Sequence, residues 1–363
     1  MQNKKSRTVV IATGGSGGHI FPALHVAEVL QARGCQVVFA GTFGTGAVRV
    51  TSRGFPVYEF KSKGLTGQSL KNFLFAAGQM TCAIVAATQA LKKIQPDAVA
   101  GFGSYGAFAV VFAALILRIP VLIHEQNVCP GRANSLLARG AKKIAISFEQ
   151  SRKYFPHGRV VLTGCPAKEI FPPDSRADLL QRFGLKETVP IILVLGGSQG
   201  SRRVNAVFVE TALVLRKECE FQVIHVAGKD DVEMLRQHYR YLRVPHYVCD
   251  FMEDIEKAYA LASLAISRAG AVSVTELCLF NVPSILIPYP YAGGHQKENA
   301  RAMVETHGAV MVEEENLSPL RLRDLVRTCL LKGRRLPSSG NGVAHKGAAE
   351  KIAVEIQELM GAV

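Results

Sequence analysis

A twofold rhythm constrains this chain more than any other feature. Short β-branched or apolar runs alternate with longer amphipathic ones: TVVIA, CQVVFAG, PVYEF, DAVAGF, PVLIH, KKIAIS and RVVLT, then IILVL, FQVIHVAG, HYVCD, LAISR, SILIP and AVMV. Most are separated by a helix-length segment, which a strand needs if it is to return parallel to its neighbour. The pattern predicts parallel sheets with helices on both faces, and it occurs twice. The first series closes near GCPAKEIFPPDSR, where Pro166, Pro172 and Pro173 stand among polar residues as a linker. At roughly 150 residues per domain, 363 residues also suggest two domains. We expect an α/β protein of two Rossmann-like doubly wound domains, at 1–166 and 167–342. A helix within 343–363 follows, for which the N-terminal domain is one packing partner open to it.

Charge divides the chain differently. Residues 1–166 hold 19 Lys and Arg against 5 Asp and Glu, whereas 167–363 are balanced at 24 each, so the first half carries the whole net charge of +14. Such a field attracts nucleic acid, an anionic membrane surface or phosphorylated substrates, and composition does not choose among them. The eight cysteines form no C-x-x-C pair, and no histidine cluster has metal spacing, so reduced thiols and no zinc site are expected. The start runs from Lys4, Lys5 and Arg7 straight into TVVIA without the apolar region of a secretion signal. Residues 72–91 and 98–117 are uncharged and long enough to span a bilayer. The second contains GFGSYG and the first carries Asn72, Gln79, Thr81, Thr88 and Gln89, so both read as α/β core, with a shallow membrane contact left open.

Open α/β sheets bind ligands at the carboxyl ends of their strands. The first such loop, IATGGSGGHIFPAL, sets Gly14, Gly15, Ser16, Gly17 and Gly18 between a strand and a helix, where glycines let backbone amides approach a diphosphate. The dinucleotide fingerprint is not matched, and Ala40, Gly41 and Thr42 stand where an acidic ribose partner belongs, so no NAD is expected. A Walker loop is also missing. His19 closes the loop at the helix start, where the macrodipole favours its neutral, proton-accepting form; a capping histidine is the bland alternative. GFGSYGAFA repeats the strand-glycine-helix form and adds Tyr105, and HEQNVCPGRAN projects Glu125 and Asn127 from a strand end.

In the second half, LVLGGSQGSRRVN places Ser198 and Gln199 in another glycine loop ahead of Asn205. ISRAGAVSVTEL sets Arg268 before a helix start, with Ala271, Val272, Ser273, Val274 and Thr275 leading to Glu276, a carboxylate able to take two ribose hydroxyls. IPYPYAGGHQKENA offers His295, Gln296 and Asn299 for sugar hydroxyls. Structural glycine turns alone would also explain these loops.

The loops GGSGGHIFPAL, GFGSYGAF, HEQN, GGSQGS with Asn205, SRAGAVSVTE and HQKENA, in this order and spacing, resemble the MurG family of peptidoglycan glycosyltransferases along almost the whole chain. The resemblance implies a GT-B glycosyltransferase fold with its two domains facing across a cleft. It implies inverting transfer of N-acetylglucosamine from UDP-GlcNAc to the C4 hydroxyl of MurNAc in undecaprenyl-pyrophosphoryl-MurNAc-pentapeptide (lipid I), giving lipid II. Donor contacts carried over fall on Ser16, Gly17, Asn127, Ser198, backbone at Met252, the segment from Ala271 to Glu276, and the pair His295 and Gln296. Where the family usually shows Gly-Asn-Pro-Val-Arg, this chain reads Gly164, Cys165, Pro166, Ala167 and Lys168, so a lysine replaces the planar fork of arginine. The resemblance further implies a peripheral protein on the cytoplasmic face of the membrane, partners in the cell-wall and division machinery, and no nucleic acid.

Inverting transfer is a single displacement, in which a base takes the acceptor proton while the leaving diphosphate gathers charge. His19 is the first candidate base and Glu125 the second. No D-x-D motif presents a metal site, and no cofactor is expected. A UDP-sugar epimerase, a transferase for another lipid acceptor and a non-catalytic basic binding protein are the competing readings. For membrane docking, Lys61, Lys63 and Lys71 flank Leu65, Leu70, Phe73 and Leu74, and Arg139, Lys142 and Lys143 extend the basic border; an ordinary core face is the alternative.

Overall fold

The computed structural model describes residues 6–60, 70–168, 174–197, 200–291, 293–331 and 345–361, with the side chains of 70–74 and 331 excepted. Lys61, Lys63, Leu65, Ser198 and Gln199 lie outside these residues, as do the side chains of Leu70, Lys71, Phe73 and Leu74. The chain packs as two compact units, Met1–Ala167 with His345–Val363, and Lys168–Ala344. Each of the thirteen runs read from the sequence forms a strand, and every strand pairing is parallel.

In the first unit the strands are β1 (Thr8–Gly14), β2 (Gln36–Thr42), β3 (Val57–Glu59), β4 (Ala98–Gly101), β5 (Val121–Glu125), β6 (Lys143–Ile146) and β7 (Val160–Leu162), in the order β3-β2-β1-β4-β5-β6-β7. The helices are α1 (Gly17–Ala32), α2 (Ala47–Thr51), α3 (Leu70–Ile94), α4 (Tyr105–Ile116) and α5 (Arg132–Leu137). Alternation along β1 sends Val9 and Ile11 into one core, with Leu24 and Ala27 of α1, and Val10 and Ala12 into another, with Val110 and Val111 of α4. Both faces of the strand are therefore covered, which is why it reads as a continuous apolar run. The 98–117 stretch divides into β4, a turn and α4. Among the described residues no helix is long and apolar enough to cross a membrane.

The second unit carries β8 (Ile191–Leu195), β9 (Gln222–Val226), β10 (His246–Cys249), β11 (Leu264–Ser267), β12 (Ser284–Leu286) and β13 (Val310–Met311), in the order β10-β9-β8-β11-β12-β13. Its helices are α6 (Arg176–Phe183), α7 (Arg202–Leu215), α8 (Val232–Leu242), α9 (Ile255–Leu261), α10 (Ala271–Leu279), α11 (His295–His307) and α12 (Pro319–Leu331). Ile192 and Val194 of β8 pack with Val204 and Phe208 of α7, Leu235 and Tyr239 of α8, and Leu322 and Val326 of α12.

The last helix, α13 (Ala348–Leu359), belongs to the first unit, where Ile352, Ala353 and Ile356 enter the core beside α1. Burying each isoleucine contributes roughly 1.5–3 kcal/mol. Polar contacts fix its register: Arg33 donates to Gln357 Oε1 at 3.0 Å, and Lys143 on β6 pairs with both Glu355 and Glu358. This corrects one expectation, because Lys143 faces two carboxylates of its own unit and does not extend a free basic border. Lys142 beside it is exposed.

In each sheet the chain reverses its winding between two adjacent strands, β1 and β4 in the first unit and β8 and β11 in the second. Open sheets of this kind take their ligands at the strand ends of such a switch point.

Candidate active site

At the first switch point, Gly14 and Gly15 prove to be packing glycines. A Cβ on Gly14 would lie 2.1 Å from Ser104 Oγ, and one on Gly15 would lie 2.0 Å from the carbonyl oxygen of Phe43. They let the loops after β1, β2 and β4 converge. Gly18 is different: it is exposed, and a Cβ there meets nothing within 4 Å. Ser16 sits at the N-cap of α1 in extended conformation with its hydroxyl making no capping bond, while its carbonyl accepts from the amides of His19 and Ile20 at 3.0 Å each. The amides of Gly17 and Gly18 in the first turn have no intrahelical acceptor, and so form a donor pair suited to an anion.

His19 is half-buried, and its Nδ1 lies 2.9 Å from the carbonyl oxygen of Phe102, just past β4. A carbonyl only accepts, so Nδ1 carries the proton and Nε2 is left as the acceptor. Burial lowers the pKa of the ring, against an opposing pull from the Glu125 carboxylate. Gly103, at φ +79°, brings its backbone against the imidazole, where a Cβ would lie 3.3 Å from the ring. Ser104 adopts φ 71° and ψ 156°, a conformation costly for any residue but glycine, and caps α4 by accepting from Gly106 N at 3.3 Å. That strain sits on Ser104, immediately before the exposed Tyr105 that begins α4.

Glu125, the second candidate base, is 1% exposed, and its carboxylate accepts from four N–H donors. Oε1 takes the backbone amide of Asn127 at 2.9 Å and its side-chain amide at 3.2 Å; Oε2 takes Gly131 N at 3.1 Å and Asn134 Nδ2 at 2.8 Å. With its oxygens committed in this way it holds the 127–134 loop and biases His19 through its field. Asn127 is placed by Glu125, and Asn134 also donates to His124 O at 3.2 Å.

In the second unit several candidates turn inward. The Asn205 side chain, fully buried, donates to Ala227 O at 2.9 Å and Asp231 Oδ2 at 2.7 Å and accepts from His225 Nε2 at 3.0 Å, so it ties α7 to β9. Arg268, 7% exposed, donates to Ser201 Oγ at 2.7 Å and to the carbonyls of Ile287 and Pro288, and it pairs with Glu314. It locks three loops together. Lys168 donates to Glu256 Oε2 at 2.8 Å and Glu253 O at 2.7 Å, which commits its ammonium to the start of α9. Oε1 of Gln296 accepts from Ala269 N at 3.1 Å and Tyr289 N at 3.0 Å, and Asn299 donates to Ala269 O at 3.1 Å. Both brace the turn before α10. His295 begins α11, half-buried, directly after two glycines at φ 75°.

That braced turn ends at Gly270, the N-cap of α10, which provides no side-chain cap, so the amides of Ala271, Val272 and Ser273 are left for another acceptor. Val274 and Thr275 point into the core, and Thr275 Oγ1 donates to Ala271 O at 2.9 Å. Glu276, 8% exposed, accepts from Tyr259 OH at 3.0 Å, and burial pushes its pKa up to about 7. Met252, also 8% exposed, precedes α9. Tyr259, Ser201, Phe102 and Gln126 were not read from the sequence as site residues, because each acts through a partner brought near only by folding. All eight cysteines are free thiols, and among the described residues no cluster of His, Cys, Asp or Glu could hold a metal ion.

Helices α3 and α4 leave a further surface. Phe75 and Val85 on α3 and Phe112 and Ile116 on α4 are 61%, 53%, 37% and 56% exposed. The exposed α3 positions from Phe75 to Gln89 carry no charge and lead to Lys92 and Lys93.

The chain matches the N-terminal domain of glycosyltransferase family 28 over residues 9–146 and the C-terminal domain over 191–355. A protein of Chlorobaculum tepidum named UDP-N-acetylglucosamine--N-acetylmuramyl-(pentapeptide) pyrophosphoryl-undecaprenol N-acetylglucosamine transferase is 36% identical over 96% of this chain and 98% of its own. A protein of the same name from Desulforamulus reducens is 34% identical, covering 94% and 95% respectively. Among solved structures, MurG of Acinetobacter baumannii superposes with a TM-score of 0.76 at 31% identity, over 97% of this chain and 99% of that one.

Proposed function

This chain belongs to the MurG family of glycosyltransferases, and from that premise we propose that it transfers N-acetylglucosamine from UDP-GlcNAc to the C4 hydroxyl of MurNAc in lipid I, forming lipid II. His19 carries the reading: its ring is held as the Nδ1–H tautomer by Phe102 O, so its Nε2 lone pair is free to accept a proton at the switch point. In the reaction, the acceptor O4 attacks C1 of the sugar from the face opposite the leaving group. The C1–O bond to UDP breaks with its electron pair, the O4 proton passes to His19 Nε2, and the anomeric centre inverts. The field of Glu125 stabilises the imidazolium that forms. On the donor side, the free amides at the start of α10 meet the diphosphate and Glu276 takes the ribose hydroxyls, with Met252 contributing through its backbone. Amides fixed by Gln296 and Asn299 need no reorganisation as charge develops, which is how a site of this kind lowers the barrier.

Docking on an anionic membrane at its cytoplasmic face belongs to the same reading. It is supported by the exposed apolar residues of α3 and α4 and by the basic excess of residues 1–166. Vesicle co-sedimentation indifferent to lipid charge and to salt would refute it.

The test of the reaction is His19→Ala assayed with UDP-GlcNAc and a short-chain lipid I analogue. Turnover should fall about 10²- to 10⁴-fold with UDP affinity unchanged. Near-normal turnover would remove His19 as the base.

A further inference from the structure

Beside His19 lies a buried amide that the mechanism above does not use. Gln126, 2% exposed, follows β5, and its Nε2 is 2.9 Å from Phe102 O and 3.1 Å from His124 Nδ1. The orientation of the amide follows from its neighbours. His124 Nε2 lies 3.1 Å from the carbonyl oxygen of Gly164, so that nitrogen bears the proton and Nδ1 is an acceptor. Phe102 O is an acceptor too. Only an NH2 group satisfies both at once, so each of its hydrogens has a fixed destination. The same Phe102 oxygen receives Nδ1–H of His19. Five groups therefore form one directed chain, in which Gly164 O sets the tautomer of His124, His124 aligns Gln126, and Gln126 pins the Phe102 carbonyl that sets the tautomer of His19.

The remaining atom of the amide supports a functional role for this chain. Gln126 Oε1 is buried and has no hydrogen-bond partner. An unsatisfied buried oxygen is destabilising, and an apolar side chain of the same volume would avoid it. A glutamine kept solely for packing would be a poor choice here.

We propose that Gln126 is a positioning residue for the transfer reaction, holding the Phe102 carbonyl so that His19 presents Nε2 as the proton acceptor. This rests on His19 being the base, and the two can fail separately. Gln126 also reaches the His19 ring itself, a contact that favours the protonated ring, and its proposed role is to act through that ring. Without its amide, Phe102 O can rotate away from Nδ1, and the imidazole then populates the Nε2–H form, which cannot accept the O4 proton.

The experiment compares wild type, Gln126→Met, His19→Ala and the double variant as full-length protein. Nitrogen-15 histidine labelling with long-range proton–nitrogen NMR reads the His19 tautomer, assigned by the signal that His19→Ala removes. Wild type should show Nδ1–H, and Gln126→Met should show a mixture. Steady-state kinetics should show kcat down about 10- to 100-fold in Gln126→Met, with KM for UDP-GlcNAc changed less than about threefold. The double variant should be no slower than His19→Ala, because the amide acts only through that ring. An unchanged His19 tautomer in Gln126→Met, or a loss that multiplies that of His19→Ala, would overturn the proposal. If Gln126→Met does not fold, Gln126→Asn, whose shorter side chain withdraws the amide from both acceptors, is read by the same two criteria. Normal turnover by His19→Ala would instead sink the base and leave the tautomer result to stand by itself.

Discussion

Replacing Glu276 by glutamine should separate stability from binding, with a sign that depends on pH. The carboxyl is 8% exposed and its pKa is raised from 4.5 to about 7 by burial. The unfolded chain releases this proton near 4.5 and the folded chain holds it until about 7, so folding takes up a proton in that window. Stability therefore falls as pH rises from about 4.5 to about 7 and levels off above, by about 3 kcal/mol in total at 1.36 kcal/mol per unit. Glutamine does not titrate. It keeps an oxygen for the Tyr259 hydroxyl but brings an NH2 group that lacks an acceptor, at a cost of about 1 kcal/mol. Relative to wild type, Glu276→Gln should then be less stable by about 1 kcal/mol near pH 4.5 and more stable by about 2 kcal/mol at pH 8. Urea denaturation followed by circular dichroism across this range measures the difference. Calorimetry at pH 8 should show UDP binding weakened by about 1.5–3 kcal/mol as charge-assisted ribose bonds are lost. A stability difference that stays flat from pH 5 to pH 8 would refute the buried-carboxylate account, and an unchanged dissociation constant would remove Glu276 from the donor site.

Two glycines of one loop should behave oppositely. Gly14→Ala drives a Cβ to 2.1 Å from Ser104 Oγ, so thermal denaturation should show a loss of about 2 kcal/mol or more, whereas Gly18→Ala meets open space inside a helix and should gain about 0.5–1 kcal/mol. If the amides of Gly17 and Gly18 serve a ligand, Gly18→Ala should nonetheless raise KM in the transfer assay. Lys143→Ala leaves Glu355 and Glu358 without their cation at a partly buried site and should cost about 1–2 kcal/mol in urea denaturation, with earlier proteolysis at α13. No change in either measurement would show that apolar contacts alone hold the helix.

Hydrophobic periodicity and glycine placement determined the architecture, because strand propensity, helix length and turn chemistry are local properties. All thirteen strands were legible in this way, and parallel winding then follows from the length of the segments between them. The loops at the strand ends were legible for the same reason, and with them His19 and Glu276. The division of labour within those loops was not. Glu125, Asn205, Arg268, Lys168 and Gln296 look like ligand contacts when read along the chain, since a polar residue after a glycine turn has no visible partner there. Folding supplies each with a bracing partner as far as 88 residues away: Asn134 for Glu125, His225 for Asn205, Glu314 for Arg268, Glu256 for Lys168, Ala269 for Gln296. The same holds for α13, whose apolar stripe announces a helix but not the surface beside α1 that receives it. Hydrogen bonds and ion pairs across strands are decided by which carbonyl or carboxylate lies within about 3 Å, and that distance exists only once the sheet has formed.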